Sequence, residues 1–105
     1  MPPSHAQPRT GSWYTYIVLC GDGTLYTGVT TDPARRVAEH NSPRGGARYT
    51  RPRQPVRLVF LEQQPSRSAA CRRERAIKDM SATGKRFLIN LQHDTADCMP
   101  LTLMA

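Results

Sequence analysis

The sequence is poor in acidic residues and contains almost no lysine. Of its 105 residues, 8 are acidic and 15 are basic, so the formal net charge is +7 and the isoelectric point is near 10.0. Only Lys78 and Lys85 are lysines, and the remaining basic residues are arginines. Because the planar guanidinium group matches phosphate with two parallel hydrogen bonds, this bias favours a nucleic acid as partner. A genome rich in arginine codons would give the same bias without any function.

The sequence also lacks segments that would insert it into a membrane or export it. Its longest strongly apolar stretch is Leu58 to Leu61, far short of the roughly 20 residues that span a bilayer. Residues 1–9 contain no hydrophobic region of a signal peptide. We therefore expect a cytoplasmic protein without a membrane partner.

Cysteine and histidine are too scattered to predict a disulfide framework or a zinc site. The chain has three residues of each kind, and no C-x-x-C pair occurs. These residues are Cys20, Cys71, Cys98, His5, His40 and His93. We expect reduced, mostly packed thiols and no pre-built zinc site.

The hydrophobic pattern predicts one small α+β (α/β) domain, because a chain of this length buries only one modest core. We expect a flexible tail over residues 1–12, the domain over 13–91 and a second tail over 92–105. Strands are predicted at 13–20, 24–30 and 56–62, and helices at 32–41, from Ser66 or Ser68 to about Met80, and at 85–91. The prediction is a three-stranded antiparallel sheet flanked by helices, in the order β-β-α-β-α-α, with a loop at 42–55.

The turn at residues 21–23 fixes which side chains of the first hairpin share a face. A three-residue loop with a left-handed Gly23 would place Tyr16 opposite Gly28. Tyr16 and Tyr26 would then lie on one face and the aliphatic residues on the other. A loop of two or four residues would separate the two tyrosines.

Arg36 and His40 are spaced i and i+4, so they share one face of the first helix. That face can point towards the tyrosine face of the hairpin. Two alternatives remain open from spacing alone. Arg36 could be a solvated arginine beside Arg35, and His40 could be a cation that stabilises the helix C-terminus.

Glu74 is the acidic residue that we predict as a metal ligand. It lies four residues after Ala70 and three before Ile77, at the border of the apolar stripe of the second helix. A carboxylate there needs a partner, because burying it alone is costly. One carboxylate suits a single Mg²⁺ or Mn²⁺ ion that also binds water and substrate phosphate oxygens. A salt bridge to Lys78 at i+4 is the alternative, and a two-metal site is not expected.

Residues 35–57 contain seven arginines and are predicted to line a nucleic-acid groove. The predicted contacts are Arg35, Arg44, Arg48, Tyr49, Arg51 and Arg53. Tyr49 could stack on a base or sugar, and Gly45 and Gly46 let the loop approach a backbone closely. Phosphate contacts position a strand without reading its sequence. A solvated basic loop is the alternative interpretation.

Two triplets, Tyr14-Thr15-Tyr16 and Tyr26-Thr27-Gly28, resemble the paired motifs that name the GIY-YIG nucleases. The polar residues that follow resemble the catalytic layout of that family over roughly residues 13–91; they are Arg36, His40, Glu74 and Asn90. The runs CGDGTLYTGVTTDPARRVAEHN and RPRQPVRLVF resemble its small stand-alone bacterial members. In the triplets, Tyr14 and Thr15 replace Gly and Ile, and Thr27 replaces Ile.

The resemblance implies a metal-dependent endonuclease that hydrolyses phosphodiester bonds, with DNA as the expected substrate and DNA repair or processing as the setting. It implies Tyr16 as general base, Arg36 as the group that stabilises phosphate oxygens, and Asn90 as the residue that orients substrate or water. A tyrosine has an ordinary pKa of about 10, which a nearby arginine and a metal would have to lower. Tyr26 would position water or pack, and Asn90 would alternatively cap a helix end.

Two hypotheses follow, an endonuclease acting as a monomer or weak homodimer, and a non-catalytic module that binds DNA or RNA. Glu74 amid positive charge favours the enzyme, because a pure binder has no need of it. We expect Tyr16, Tyr26, Arg36, His40 and Glu74 to converge on one cleft. Finding Glu74 and Tyr16 on opposite sides of the sheet would contradict a single site, and a flat salt dependence of binding would contradict the arginine groove.

Overall fold

A computed structural model describes residues 12–95, with only the backbone for residues 94 and 95. The predicted N-terminal tail, apart from Ser12, and residues 96–105 of the predicted C-terminal tail lie outside the described residues. The elements are β1 (Trp13–Leu19), β2 (Leu25–Thr30), α1 (Pro33–His40), β3 (Arg57–Gln64), α2 (Arg67–Lys78) and α3 (Ala82–Thr95), with a short 3₁₀ helix at Arg51–Arg53. The predicted element order and the three-stranded antiparallel sheet are confirmed.

The sheet has β1 at its centre, between β2 and β3, and both pairings are antiparallel. Four consecutive residues of β1, Thr15 to Val18, are buried. Since neighbouring side chains of a strand point to opposite faces, both faces of β1 are covered. A bulge between Ile17 and Val18 interrupts the pairing with β3.

The hairpin has the predicted register. Tyr16 lies opposite Gly28, and Gly23 has a φ of 87°, the left-handed conformation that the three-residue loop requires. Asp22 closes the turn, because its Oδ1 accepts hydrogen bonds from the backbone N (3.1 Å) and Oγ1 (2.6 Å) of Thr24. Tyr16 and the tyrosine of β2 therefore share one face.

Each face of the sheet has its own apolar cluster. On one face, Ile17 packs with Ile77 of α2 and Ile89 of α3. On the other, Tyr16 packs in a cluster that Val37 of α1 covers. The helices α2 and α3 thus lie on one side of the sheet, and α1 lies on the other.

Several predicted element boundaries differ by a few residues from those in the structure. Strand β3 continues through the expected break and ends at Gln64, and α2 ends at Lys78, before Met80. Of the two serines considered, Ser66 is the N-cap, since its Oγ accepts from the backbone N of Ala69 at 3.0 Å. This bond satisfies one of the free N–H groups of the first turn.

Helix α3 is twice as long as the predicted segment 85–91. Ser81 begins it, because its Oγ accepts from the backbone N of Gly84 at 3.0 Å, so this glycine lies inside the first turn and does not interrupt the chain. Near the other end, the amide of Gln92 donates to the backbone O (2.7 Å) and accepts from the backbone N (3.1 Å) of Leu61. This pairing covers part of the open edge of β3, which explains why the helix continues past Leu91.

Two further expectations concern thiols and membranes. Cys20 is buried and Cys71 is half-buried, and both are free thiols as expected; Cys98 lies outside the described residues. Among residues 12–95, no helix is long and apolar enough to cross a membrane.

Candidate active site

The centre of the site is a buried pair formed by Tyr16 and His40. The Oη of Tyr16 lies 2.8 Å from Nε2 of His40, and the two residues are 1% and 0% exposed. Tyr16 comes from the central strand, and His40 is the last residue of α1. Asp32 sets the start of that helix by accepting a hydrogen bond from the backbone N of Arg35 at 3.1 Å.

Two glycines leave the space that this pair needs. The phenol ring of Tyr16 lies over Gly28, where an added Cβ would come within 2.6 Å of Oη. Gly46 has a φ of 77° and packs on His40, where an added Cβ would lie 2.6 Å from the histidine Cα. Any side chain at either position would therefore displace one member of the pair.

The loop at 42–55 is fixed to the site by hydrogen bonds. The Oγ1 of the buried Thr50 lies 2.8 Å from Nδ1 of His40. The amide of Gln54 donates to the backbone oxygens of His40 (2.8 Å) and Ser42 (2.6 Å). The backbone of the loop is thus held against His40 by these hydrogen bonds.

Thr50 also determines which nitrogen of His40 carries the proton. The hydroxyl of Thr50 donates to the backbone O of Ala47 at 3.1 Å, which leaves its oxygen to accept the Nδ1–H of His40. We assign this tautomer because the Thr50 oxygen can then accept both the Nδ1–H and the backbone N–H of Ala47 at 3.2 Å; the longer contact of that N–H with Nδ1, at 3.4 Å, is given up. The unprotonated Nε2 then accepts the phenolic O–H of Tyr16.

Burial keeps both members of the pair neutral at pH 7. It raises the pKa of Tyr16 to about 12; the Arg36 guanidinium opposes this rise, whereas the negative charge of Glu74 adds to it. Burial and, to a smaller extent, the positive charge of Arg36 together lower the pKa of His40 to about 4. The interpretation of His40 as a cation at a helix end is therefore wrong.

Arg36 and Arg35 lie on the same helix but have different surroundings. Nη1 of Arg36 is 2.8 Å from Oε1 of Glu39, and the side chain is about one third exposed. Arg36 influences both Tyr16 and His40 electrostatically, so it is not simply a solvated arginine. Arg35 pairs with the same Glu39 at 3.5 Å on the exposed surface.

Tyr26 joins the site through ring contacts. Its ring packs edge-on against His40, with the centroids 5.4 Å apart, and is stacked against Tyr49 at 5.9 Å. The guanidinium of Arg53 lies 3.9 Å over the ring of Tyr49. Because Tyr49 already has two stacking partners, the predicted stacking of a base on it would require one of them to move.

Glu74 forms the salt bridge to Lys78 that was the alternative to its role as a metal ligand. Its carboxylate lies 3.1 Å from Nζ of Lys78 and is about one quarter exposed. The same Nζ lies 5.7 Å from the ring centre of Tyr26. Within the described residues, no group of three His, Cys, Asp or Glu side chains surrounds a metal position. One partly exposed carboxylate fits an ion that takes its other ligands from water and substrate phosphates.

The helix of Glu74 packs on the face of the sheet opposite to the ring of Tyr16, which contradicts the prediction that all five side chains converge on one cleft. Thr15 points to the α2 face, where its hydroxyl donates to the backbone O of Ala70 at 3.0 Å. The sheet ends at β2, however, and Tyr16 lies over Gly28 of that edge strand. Glu74 is near enough for its charge to raise the pKa of Tyr16. Glu74 is therefore linked to the Tyr16–His40 pair by its charge and through Lys78, which lies 5.7 Å from the ring centre of Tyr26.

The structure does not bring Asn90 to the tyrosine–histidine pair. Asn90 lies on α3 beside Leu19, Leu25 and Arg86, near the turn of the hairpin and on the side of α2. It is exposed and lies inside the helix, so the alternative role as a helix-end cap is also wrong.

The predicted groove residues fall into two groups. Within the described part of the chain, Arg44, Arg48 and Arg51 are exposed and have no ion-pair partner. Arg53 is bound, since its side chain pairs with Asp22 at 3.0 Å and donates to the backbone of the loop. The first group is free to contact phosphates.

Sequence reasoning did not identify Thr50 and Gln54 as site residues. Both act through loop geometry, and no periodic pattern links them to His40, which precedes them by 10 and 14 residues. The only available signal was the pair Gly45 and Gly46, which indicated a close backbone approach without naming its target.

Comparison with known proteins agrees with the motifs. The family profile described as the GIY-YIG catalytic domain matches residues 12–87. A UPF0213 protein of Desulfotalea psychrophila is 59% identical over 78 residues, covering 74% of this chain and 71% of the relative. Another from Halobacterium salinarum is 52% identical over 75 residues, covering 71% of this chain and 96% of the relative.

Two solution NMR structures are similar to this fold. A protein from E. faecalis has a TM-score of 0.55 and 37% identity, with 82% of this chain and 91% of that chain covered. The UPF0213 protein BH0048 from Bacillus halodurans has a TM-score of 0.50 and 45% identity, with 76% and 84% covered. On its sequence, its fold and its relatives, the chain belongs to the GIY-YIG family and groups with the small UPF0213 proteins.

Proposed function

We propose that the protein is a metal-dependent endonuclease that hydrolyses phosphodiester bonds of DNA with little sequence specificity, in DNA repair or processing. The observation that supports this most strongly is the buried hydrogen bond between Tyr16 and His40, with Arg36 beside it. A module that only binds a strand needs exposed arginines. It has no need of a buried phenol whose proton points at a neutral imidazole.

The pair can move the proton of an attacking water. As the water attacks phosphorus, its proton passes to Oη of Tyr16 and the phenolic proton passes to Nε2 of His40. At rest the pKa values of about 12 and about 4 keep the proton on Tyr16. A phosphodiester bound by Arg36 offsets the positive charge that lowers the pKa of His40, which favours the imidazolium and so favours the transfer.

Arg36 supplies the charge that the transition state needs. Glu39 holds the guanidinium in place at 2.8 Å, so the side chain is preorganised to stabilise the phosphoryl oxygens. The free arginines Arg44, Arg48 and Arg51 would hold the strand through its phosphates. Such contacts carry no sequence information, which is the reason for the low specificity.

Glu74 is the residue that would hold one Mg²⁺ or Mn²⁺ ion. When bound, a divalent ion supplies charge neutralisation at the reacting phosphate and its leaving oxygen. Its remaining ligands would be water and substrate oxygens, since no second acidic or histidine ligand is clustered with Glu74 within the described residues.

The test is nicking of supercoiled plasmid with Mg²⁺ or Mn²⁺ by three matched proteins. They are the wild type, Glu74→Gln and Glu62→Gln. Glu62→Gln is the control. Like Glu74, Glu62 is partly exposed and forms a salt bridge, to Arg73 at 2.7 Å, but it lies on β3. We expect the wild type and the control to nick and Glu74→Gln to be inactive. Equal nicking by all three would point to a contaminant or another site.

A non-catalytic nucleic-acid-binding module on the same fold is the second candidate. It is favoured by the pairing of Glu74 with Lys78 and by the high pKa of Tyr16. If none of the three proteins cuts plasmid or branched DNA while all bind it at low salt, this candidate replaces the nuclease. Sedimentation of the free and DNA-bound protein would show whether it acts as a monomer or a weak homodimer.

A further inference from the structure

The only two lysines of this arginine-rich chain line one cleft beside the candidate active site. The cleft, which we call the lysine cleft, has a volume of about 370 Å³. Its walls are formed by Leu25, Tyr26, Thr27, Tyr49, Lys78 and Lys85. It opens along the edge strand β2 and reaches Tyr26, which contacts His40 of the active site.

Lys78 connects this cleft to Glu74. Its ammonium group pairs with Glu74 at 3.1 Å and lies 5.7 Å from the ring centre of Tyr26. The lysine side chain is about half exposed, and an exposed ion pair of this kind contributes little to stability. Lys78 can therefore exchange its carboxylate partner for another anion at small cost.

Two other polar groups of the cleft lack partners within the described residues. Lys85 is half-buried and has no ion-pair or hydrogen-bond partner for its side chain there. The hydroxyl of Thr27 is buried, with the residue only 2% exposed, and it makes no hydrogen bond within that part of the chain. A buried hydroxyl without a partner is rare in folded proteins. The Thr27 hydroxyl is closed off from solvent, so the lysines are the groups that a ligand can reach. Two ammonium groups at one cavity suit a ligand rich in acceptor oxygens, such as phosphate.

We propose that the lysine cleft binds a backbone phosphate of the substrate strand, next to the one that is cut, and that Lys78 leaves Glu74 to bind it. This inference rests on the proposed nuclease function and adds to it a subsite and an order of binding. While Lys78 stays on Glu74, its positive charge repels a divalent ion. Once the strand phosphate has taken Lys78 away, the carboxylate is available to the metal.

The subsite is tested by DNA binding in EDTA, so that no strand is cut. Fluorescence anisotropy of a labelled duplex is measured over a range of salt concentrations for the wild type, Lys78→Met and Lys85→Met. The matched control is Arg75→Met, which removes one positive charge from the exposed outer side of α2. The slope of log K against log salt is negative, and for each lysine variant we expect its magnitude to decrease by roughly 0.9, the value for one lost phosphate contact on duplex DNA. The control should keep the wild-type slope.

The exchange of Lys78 from Glu74 to the phosphate is tested by measuring Mn²⁺ binding without DNA, with electron paramagnetic resonance as the readout. Lys78→Met should bind Mn²⁺ about tenfold more tightly than the wild type, because a neighbouring positive charge has been removed. Lys85→Met should match the wild type. Equal Mn²⁺ affinity of Lys78→Met and wild type overturns the exchange.

The outcomes separate this proposal from the proposed function. If the wild type nicks plasmid while both lysine variants keep the salt slope of Arg75→Met, the subsite is refuted and the nuclease stands. If the wild type binds no DNA at any salt concentration, both proposals are overturned.

Discussion

The pH dependence of stability gives a direct test of the buried histidine. His40 is completely buried and its pKa is lowered from 6.5 to about 4. The unfolded chain, in which His40 has its ordinary pKa, therefore binds a proton at a higher pH than the folded protein. As the pH falls through 6.5, protonation favours the unfolded state, and the folded state loses stability until about pH 4, where it too is protonated.

The size of the effect follows from the difference between the two pKa values of His40. The fall from 6.5 to about 4, at about 1.4 kcal/mol per pH unit, corresponds to a total loss of about 3 kcal/mol. Between pH 7 and pH 5 we expect a loss of about 2 kcal/mol in the free energy of unfolding. Hydrogen bonds lower the pKa values of the carboxyl groups of Asp22 and Glu39, so most of their contribution to the stability of the folded protein is lost only at lower pH. The range above pH 5 therefore isolates His40.

Urea unfolding at several pH values measures this loss, with the fluorescence of Trp13, the only tryptophan, as the signal. The control is His40→Asn, which is expected to be less stable overall but to lose almost nothing more between pH 7 and pH 5. If the wild type and this variant show the same pH slope, the reasoning about the neutral, buried imidazole is refuted.

Three further substitutions test the packing and the chemistry of the site. Gly46→Ala should lower the free energy of unfolding in urea by about 1–3 kcal/mol, because of its positive φ and the contact with His40; Gly84→Ala, which has room inside α3, should instead be neutral or stabilising, and equal effects would contradict the argument. Ser66→Ala should cost about 1 kcal/mol in the same assay through the lost N-cap of α2, and an unchanged stability would show that the cap is unimportant. Tyr16→Phe should abolish plasmid nicking and leave DNA affinity by anisotropy unchanged; full activity would exclude Tyr16 as the proton acceptor.

The fold was predictable where the determining interactions are local in sequence. The hairpin register depends on the glycine at position 23, and the first helix begins where Asp32 and Pro33 predict it. The turn sets the face of β1 on which Tyr16 lies, and the N-cap sets where α1 begins. Together these two local features bring Tyr16 and His40 into hydrogen-bonding distance. Four of the predicted catalytic residues were therefore placed together by short-range rules.

The features that could not be predicted depend on contacts between residues that are far apart in the chain. The length of α3 is determined by Gln92, which bonds to Leu61 across 31 residues. The position of Asn90 follows from that longer helix, which holds it beside Leu19 and Leu25 and away from the Tyr16–His40 pair. The fixation of loop 42–55 through Thr50 likewise has no signature in the alternation of polar and apolar residues.

Among the described residues, the carboxylates differ in the kind of group that holds them. Asp32 caps α1, while Glu39 and Glu62 are held by arginines at 2.8 Å and 2.7 Å. Glu74 is paired with a lysine instead. An arginine holds a carboxylate with a rigid fork, whereas a lysine ammonium is a hydrated point charge on a flexible stem. In a chain with so little lysine, the carboxylate at the edge of the candidate site is thus paired with the basic side chain that most readily releases it.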